Sequence, residues 1–457
     1  MKQWFKKLLL TSGALILGIG IIIVPFCIFS ISNNPNEFVF GNFQSYMSDQ
    51  VKNELSKKYK INWQYYDSNS EIPTYIQNKT LDIAIATNNM IANLIVNNDI
   101  QPIPWSKFNL MNNNKLVTSY LDLQGIVTPA TWTICKLIGQ SIGIDNLLEY
   151  CVPYFMQDFV FAYRGNKLNL SNEANFYDIF KYLINDANFN TKNSSIMMID
   201  DARTVFDVCK LIENVNTPNI NPQVGLLTLN GSSNSYLGIG KINDVYKNLN
   251  NFFINKNPNI ITFNSDSSTL LNKLALNETK GCFMYNGDAI YSALGGDNSS
   301  NYSDQLPKFG VNQNFWSIIP KNNFYAMDGI VLSKNIDNQK MDTAIKLISD
   351  LCFSGINSNE PIYQLDASNP NKYKFLSMSN FAYVNYTPCY SKIYNYVTDP
   401  KGYFYNETDG NIDIANFLIN LISIDYKKIN LNNVELPINE TTKSNMDISY
   451  VEFKNSI

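Results

Sequence analysis

Gly281-Cys282-Phe283-Met284-Tyr285-Asn286-Gly287-Asp288-Ala289-Ile290-Tyr291-Ser292-Ala293 is the stretch on which the reading of this chain turns. Its first apolar and aromatic residues have the length of a short buried strand. Asn286-Gly287 then predicts a tight turn, and Asp288 opens a run of good helix formers. In an α/β protein, ligands sit outside the carboxyl ends of strands, where such corners lie. Tyr285 and Asp288 are three residues apart and could both face a bound cation. The plainer alternative makes Asp288 a helix N-cap and Tyr285 a core residue.

Comparable corners recur on both sides of this stretch. Glu37-Phe38-Val39-Phe40-Gly41-Asn42-Phe43 reads as a strand entering a turn, with a helix from Tyr46 through Lys58. Leu81 to Ala86 is a buried strand ending at Thr87-Asn88-Asn89, and Met90 to Val96 is the helix after it. Ser195 to Ile199 leads into Asp200-Asp201-Ala202-Arg203, after which Val205, Val208, Cys209 and Ile212 share one helical face. Strand, helix, strand in this order predicts a mostly parallel sheet with right-handed crossovers. Tyr150 to Phe155 and Phe159 to Tyr163 are extended, apolar and suited to a passage between domains, with Phe324 to Leu332 as the return. Asp342 is expected to cap a helix that turns Ala344, Leu347, Ile348 and Leu351 inward.

Composition narrows the chemistry. The chain has 457 residues, 45% hydrophobic and 16% charged, which is globular and not disordered. A net charge of −4 argues against nucleic acid as a partner, because phosphate binding needs a basic surface. There is no histidine, which removes Ser-His-Asp and Cys-His catalysis and the commonest zinc ligand. The seven cysteines, from Cys27 to Cys389, form no C-x-x-C pair and read as small core residues. Arginine occurs only at Arg164 and Arg203, and abundant asparagine reads as loops without chemistry, Asn432-Asn433 included.

Lys2, Lys6 and Lys7 precede an uncharged apolar run from Leu8 to Ile31, long enough for a bilayer core of about 30 Å. The lysines place the N-terminus in the cytoplasm and all that follows Asn33 outside. Residues 1–34 are therefore a signal anchor or a lipoprotein signal. Cys27 is the candidate for lipidation, but Phe26 stands where a small residue is expected, and this favours an uncleaved anchor. Both alternatives leave a globular domain tethered to the outer face of the cell membrane.

Five corners leave polar or aromatic groups at strand ends: Phe43 to Tyr46, Thr87 to Asn89, Asp200 to Arg203, Tyr285 to Asp288 and Tyr325 to Asp328. One shared cleft would hold aromatic rings plus Asp201, Asp288 and Asp328, with no lysine at the corners. That inventory suits an elongated cation with an apolar stem. Ring faces attract ammonium groups and pack on methylenes, while carboxylates accept charge-assisted hydrogen bonds at the ammonium ends.

These segments, in this order from Phe38 to Pro388, resemble the periplasmic spermidine/putrescine-binding proteins of bacterial polyamine ABC importers. The resemblance is carried by Asp200-Asp201-Ala202-Arg203-Thr204-Val205-Phe206, Phe263-Asn264-Ser265-Asp266 and Tyr285-Asn286-Gly287-Asp288-Ala289. Pro320-Lys321, Met327-Asp328, Val152-Pro153-Tyr154 and Thr387-Pro388 also fit. It implies a two-lobed, type II periplasmic-binding-protein fold that clamps its ligand by hinge closure. Lobe 1 is expected over 35–156 and 326–457, with a tail that can cross over, and lobe 2 over 157–325.

Further implications concern the site. Asp201, Asp288 and Asp328 would bind amines, Tyr285 and Phe43 stand at stacking Trp positions, Tyr46 matches a Tyr and Thr87 a Ser. Ser45 replaces an acid, Thr204 a Glu, Asn89 a Tyr and Ala326 an aromatic, for which Phe324 or Tyr325 can substitute. Fewer carboxylates than the three-amine pattern give a diamine such as putrescine added weight. The implied partners are a polyamine, a permease with its cytoplasmic ATPase, and the membrane. No catalysis, cofactor or metal is expected. The alternatives are another solute on the same fold, or a non-catalytic adhesive or structural surface protein.

Overall fold

A single 14-residue strand, Cys151–Arg164, runs through the middle of the protein. The computed structural model describes residues 37–44, 46–171, 173–190, 196–216, 239–252, 254–256, 260–295 and 315–456. The expected anchor over 1–34, with Cys27, and the candidate residue Ser45 lie outside the described residues. Among the described residues, no helix is long and apolar enough to cross a membrane.

Besides the two-residue strand Ile100–Gln101, the strands of the main sheet are β1 (Phe38–Phe43), β2 (Ile61–Tyr66), β3 (Ile83–Thr87), β4 (Cys151–Arg164), β5 (Ile196–Ile199), β6 (Ile261–Asn264), β7 (Gly281–Tyr285), β8 (Phe315–Ile318), β9 (Tyr325–Ser333) and β10 (Thr387–Pro388). They form one sheet in the order β2-β1-β3-β9-β4-β7-β5-β6, and β8 and β10 also pair with β4. The expected mostly parallel sheet is corrected to a mixed one. β1–β2, β1–β3, β5–β7 and β5–β6 are parallel, but every partner of β4 and β9 is antiparallel. The two extended passages read from the sequence, 150–155 and 159–163, are one strand, since the ladder with β9 runs on through Met156-Gln157-Asp158, opposite Met327, Ala326 and Tyr325.

β4 meets a different partner along each half. Its first half pairs with β9, from Asp158 opposite Tyr325 to Cys151 opposite Val331, and its second half pairs with β7 and β8. Pro153 offers no N–H to the ladder, and the register slips beside it: Phe155 faces Asp328 and Pro153 faces Gly329, which leaves Tyr154 as the extra residue of a bulge. Side chains of the second half alternate between two cores. Val160 and Ala162 join the larger core, while Phe159, Phe161 and Tyr163 join the smaller. The larger core takes β1, β3 and β9 on its side, and residues 38–457 are one compact unit.

The helices include α1 (Asp49–Tyr59), α2 (Asn88–Val96), α3 (Ala202–Asn216), α4 (Ile239–Phe252), α5 (Asn286–Ala293) and α6 (Glu440–Asn455). Ser48 caps α1 by accepting from Val51 N at 3.1 Å, so Tyr46 belongs to the loop before it and not to the helix. The face of α3 expected inward is inward: Val205, Val208, Cys209 and Ile212 are fully buried. Helix Asn338–Ile348 is capped by Asp337, whose carboxylate accepts from Lys340 N at 2.8 Å, and not by Asp342.

α6 packs on α3 and α4, with Met446, Tyr450 and Phe453 in the smaller core. The strap leading to it lies along β9. Tyr325 N donates to Asn433 O at 2.8 Å, and Glu435 N donates back to Tyr325 O. The tail thus belongs to both cores.

Candidate functional site

The opening corner differs from its sequence reading in a way that matters. Asn286 and Gly287 are not a turn but the first two residues of α5, and Tyr285 stands at its N-cap position. Asp288 is in the first helical turn and does not cap. Asn286 is an anchor, donating through Nδ2 to Thr387 Oγ1 and to Leu421 O, each at 3.0 Å. Glycine at 287 serves a close approach, since a Cβ there would come within 2.5 Å of the Tyr386 ring. That ring turns its hydroxyl onto Asp288 Oδ1 at 2.6 Å.

Asp328 has the same kind of partner. Tyr46 donates its hydroxyl to Asp328 Oδ2 at 2.6 Å, and Gln157 Nε2 donates to both Asp328 Oδ2 and the Tyr46 hydroxyl. Thr87 faces Asp328 directly across the β3–β9 ladder. Asn69 fixes that threonine by donating Nδ2 to its Oγ1 and accepting from its N–H. Tyr46, Tyr386, Tyr154 and Phe155 pack edge to face around this point, and Phe43 adds its edge to Tyr46 at 6.1 Å between centroids.

On the other side of the cleft, Asp201 does cap its helix. Its Oδ1 accepts from Thr204 N at 2.8 Å and from Thr204 Oγ1 at 2.9 Å. The Thr204 hydroxyl shares a hydrogen bond of 3.0 Å with the Tyr285 hydroxyl, whose ring packs edge-on against Phe159. The structure thus brings together Phe43, Tyr46, Thr87, Asp201, Thr204, Tyr285, Asp288 and Asp328. Tyr325 does not join them. It is three residues before Asp328 on a strand, an odd separation that turns the two side chains to opposite faces. Burial and the charges of Asp158 and Asp425 push the Tyr325 phenol up.

Two cleft residues escaped the sequence reading. Tyr386 lies two residues before the recognised Pro388, but nothing local marks its contact with Asp288. Glu435 comes from the strap, where Asn88 Nδ2 holds its backbone carbonyl and Asn89 Nδ2 donates to its carboxyl Oε2 at 3.2 Å. Burial pushes Asp328 and Asp288 up to about 6 each, against the help of their tyrosine donors. Burial, then the negative charge of Asp207, pushes Glu435 up to about 8, with Asp201 and Asp328 adding to the effect. Arg203 opposes this, but its Nε is committed to Asp207 at 3.0 and 3.2 Å. Acidic groups therefore outnumber their counter-charge here.

Tyr46, Asp288, Tyr291, Tyr383 and Tyr386 border a cavity of about 60 Å³ at the end of the cleft. A larger open depression of about 720 Å³ lies along helix Phe176–Asn185, beside Glu173, Asp178 and Lys181, and holds none of these residues. The cleft offers hydrogen-bond acceptors and aromatic rings in an enclosed place, which is the equipment for holding a cation.

A mixed sheet threaded by long strands, with a buried polar cleft across them, defines the α/β fold of the periplasmic binding proteins. A protein from Listeria monocytogenes described as a spermidine/putrescine ABC transporter superposes with a TM-score of 0.55 over 92% of this chain and 100% of its own, at 16% identity. The spermidine/putrescine ABC transporter substrate-binding protein PotD of Streptococcus pneumoniae gives 0.51 over 92% and 99%, at 15% identity. The TpPotD lipoprotein of Treponema pallidum gives 0.50 over 92% and 98%, at 10% identity. The likeness to spermidine/putrescine-binding proteins read from the sequence is thus present in the fold. No curated protein matches the sequence. Residues 6–428 match the family model described as hypothetical lipoprotein (MG045 family), and the chain belongs to that family.

Proposed function

We propose that this chain is the solute-binding component of a polyamine ABC importer, held at the outer face of the cell membrane by its N-terminus. It captures spermidine or putrescine and hands it to permease subunits driven by a cytoplasmic ATPase. The observation that carries this reading is the pairing of enclosed carboxyl groups with tyrosines. Asp288 and Asp328 each accept from a tyrosine hydroxyl within an aromatic surround, and among the described residues neither has a basic side chain as its hydrogen-bond partner. Enclosed carboxylates without a counter-charge repel one another and lose hydration, and a diamine supplies the missing charge at both ends. Asp201, with Thr204 and Tyr285, forms the facing wall.

In this reading the lobes are 35–156 with 326–457, and 157–325, with α6 packed on the second. They close on the amine about β4 and β9. Residues 1–34 serve as a signal anchor or, through Cys27, as a lipid attachment, in keeping with the lipoprotein family; intact mass of the mature protein separates the two. The chain acts by binding and carries out no chemistry on its ligand. Calorimetry of the ectodomain with spermidine and putrescine tests the reading. Binding at micromolar concentration or tighter is expected, and no heat together with no thermal shift for either amine would overturn it.

A further inference from the structure

One guanidinium in the cleft is only partly used. Arg203 gives its Nε to Asp207, one turn on along α3, while its two terminal amino groups, Nη1 and Nη2, are buried without a hydrogen-bond partner among the described residues. Buried donors left unmade are costly, most of all on a charged group, and call for a state of the protein that satisfies them. After Asp207, the acid whose charge acts most on the guanidinium is Glu435. Its carboxyl feels the Arg203 charge together with the charges of Asp207 and Asp201 from α3 and its cap, and of Asp328 from β9. The Tyr285 hydroxyl on β7 feels Glu435 in turn. Glu435 is tied to α2 by Asn88 and Asn89, and Arg203 belongs to α3 beside the smaller core. A contact between them would join the two sides of the cleft.

We infer that Arg203 is a positioning residue that acts through Glu435: when the Glu435 carboxylate ionises, the free amino groups of Arg203 take it up, and the contact fastens the strap to α3 across the cleft. Its functional role rests on the amine-binding reading, but its chemistry does not. While Glu435 keeps its proton the guanidinium stays under-used. A cation arriving beside Asp328 favours loss of that proton to solvent, and the carboxylate then completes the hydrogen bonding of Arg203. Ligand retention thereby depends on a side chain that need not touch the ligand.

The test uses the full chain with Arg203→Lys, Glu435→Gln and the double variant. Lysine keeps a charge for Asp207 but loses the fork. The first readout needs no ligand: the thermal midpoint against pH. Glu435 is held above its ordinary value, so its contribution to stability is present at low pH and is lost as pH rises through about 8. The wild type should show that fall, Arg203→Lys should move it to higher pH, and Glu435→Gln should remove it. The double variant should follow Glu435→Gln. The second readout is spermidine release, expected to be about ten-fold faster in each single variant and no faster in the double, the mark of one shared interaction. An Arg203→Lys profile that overlays the wild type, or release rates that multiply in the double variant, would overturn the inference. If the wild type binds neither amine, the reading of the cleft falls, while the pH profiles still decide the Arg203–Glu435 contact.

Discussion

Tyrosine hydroxyls, rather than basic side chains, hold the two central aspartates. A phenol donates a hydrogen bond without delivering a charge, so Asp288 and Asp328 stay oriented but electrostatically unanswered. Asp328→Ala should therefore weaken spermidine or putrescine binding at least about ten-fold, or about 1.4 kcal/mol, by calorimetry; unchanged affinity would remove Asp328 from the site. Asp288 and Asp328 could be singled out because each lies close to a strand that the sequence marks clearly, Asp288 three residues beyond the end of β7 and Asp328 within β9. Tyr325 was misassigned because nearness in sequence was allowed to stand for nearness in space, against the two-residue alternation of a strand. Glu435 was not legible at all. It lies in a polar strap beside Asn432-Asn433, and what makes it a cleft residue is its contact with Asn88 and Asn89, far away in the chain.

Among the elements, helices with an apolar face could be read well and their ends poorly. The inward face of α3 came out residue for residue, while the caps of α5 and of helix Asn338–Ile348 were each misplaced, because Asp and Asn occur both at caps and within first turns. The tail could not be placed from its sequence, since α6 finds its partners in α3 and α4. Tyr450 concentrates that packing: its ring lies 5.4 Å from Tyr246 and 5.9 Å from Phe453, and its hydroxyl donates to Asp200 Oδ1 at 2.8 Å. Asp200 adjoins the cleft residue Asp201. Tyr450→Ala is expected to cost about 3–5 kcal/mol, as for other buried aromatics, measured by denaturant unfolding. Hydrogen exchange in α3 and α4 should speed up with it; a loss under about 1 kcal/mol would mean that α6 is a passive cover.

For the whole molecule, the raised carboxyls set a pH signature. Asp288 and Asp328 near 6, and Glu435 near 8, bind protons more tightly in the fold than ordinary acids do in the unfolded chain. Their contribution to stability is complete below about pH 4 and is lost as pH rises through 6 to 8. The unliganded thermal midpoint should therefore fall from about pH 5 to pH 8.5. Saturating putrescine should flatten the fall and bind more tightly at the alkaline end. A midpoint that rises over this interval would contradict the electrostatics of the cleft. β4 has a mechanical consequence as well. Phe159, Phe161 and Tyr163 fill one core while Val160 and Ala162, between them, fill the other, so neither core can be pulled apart while the strand stays whole. Stretched between residue 38 and residue 456 in an optical trap, the protein should give way in a single rip, and two separate rips would show that the shared strand does not couple its two sides.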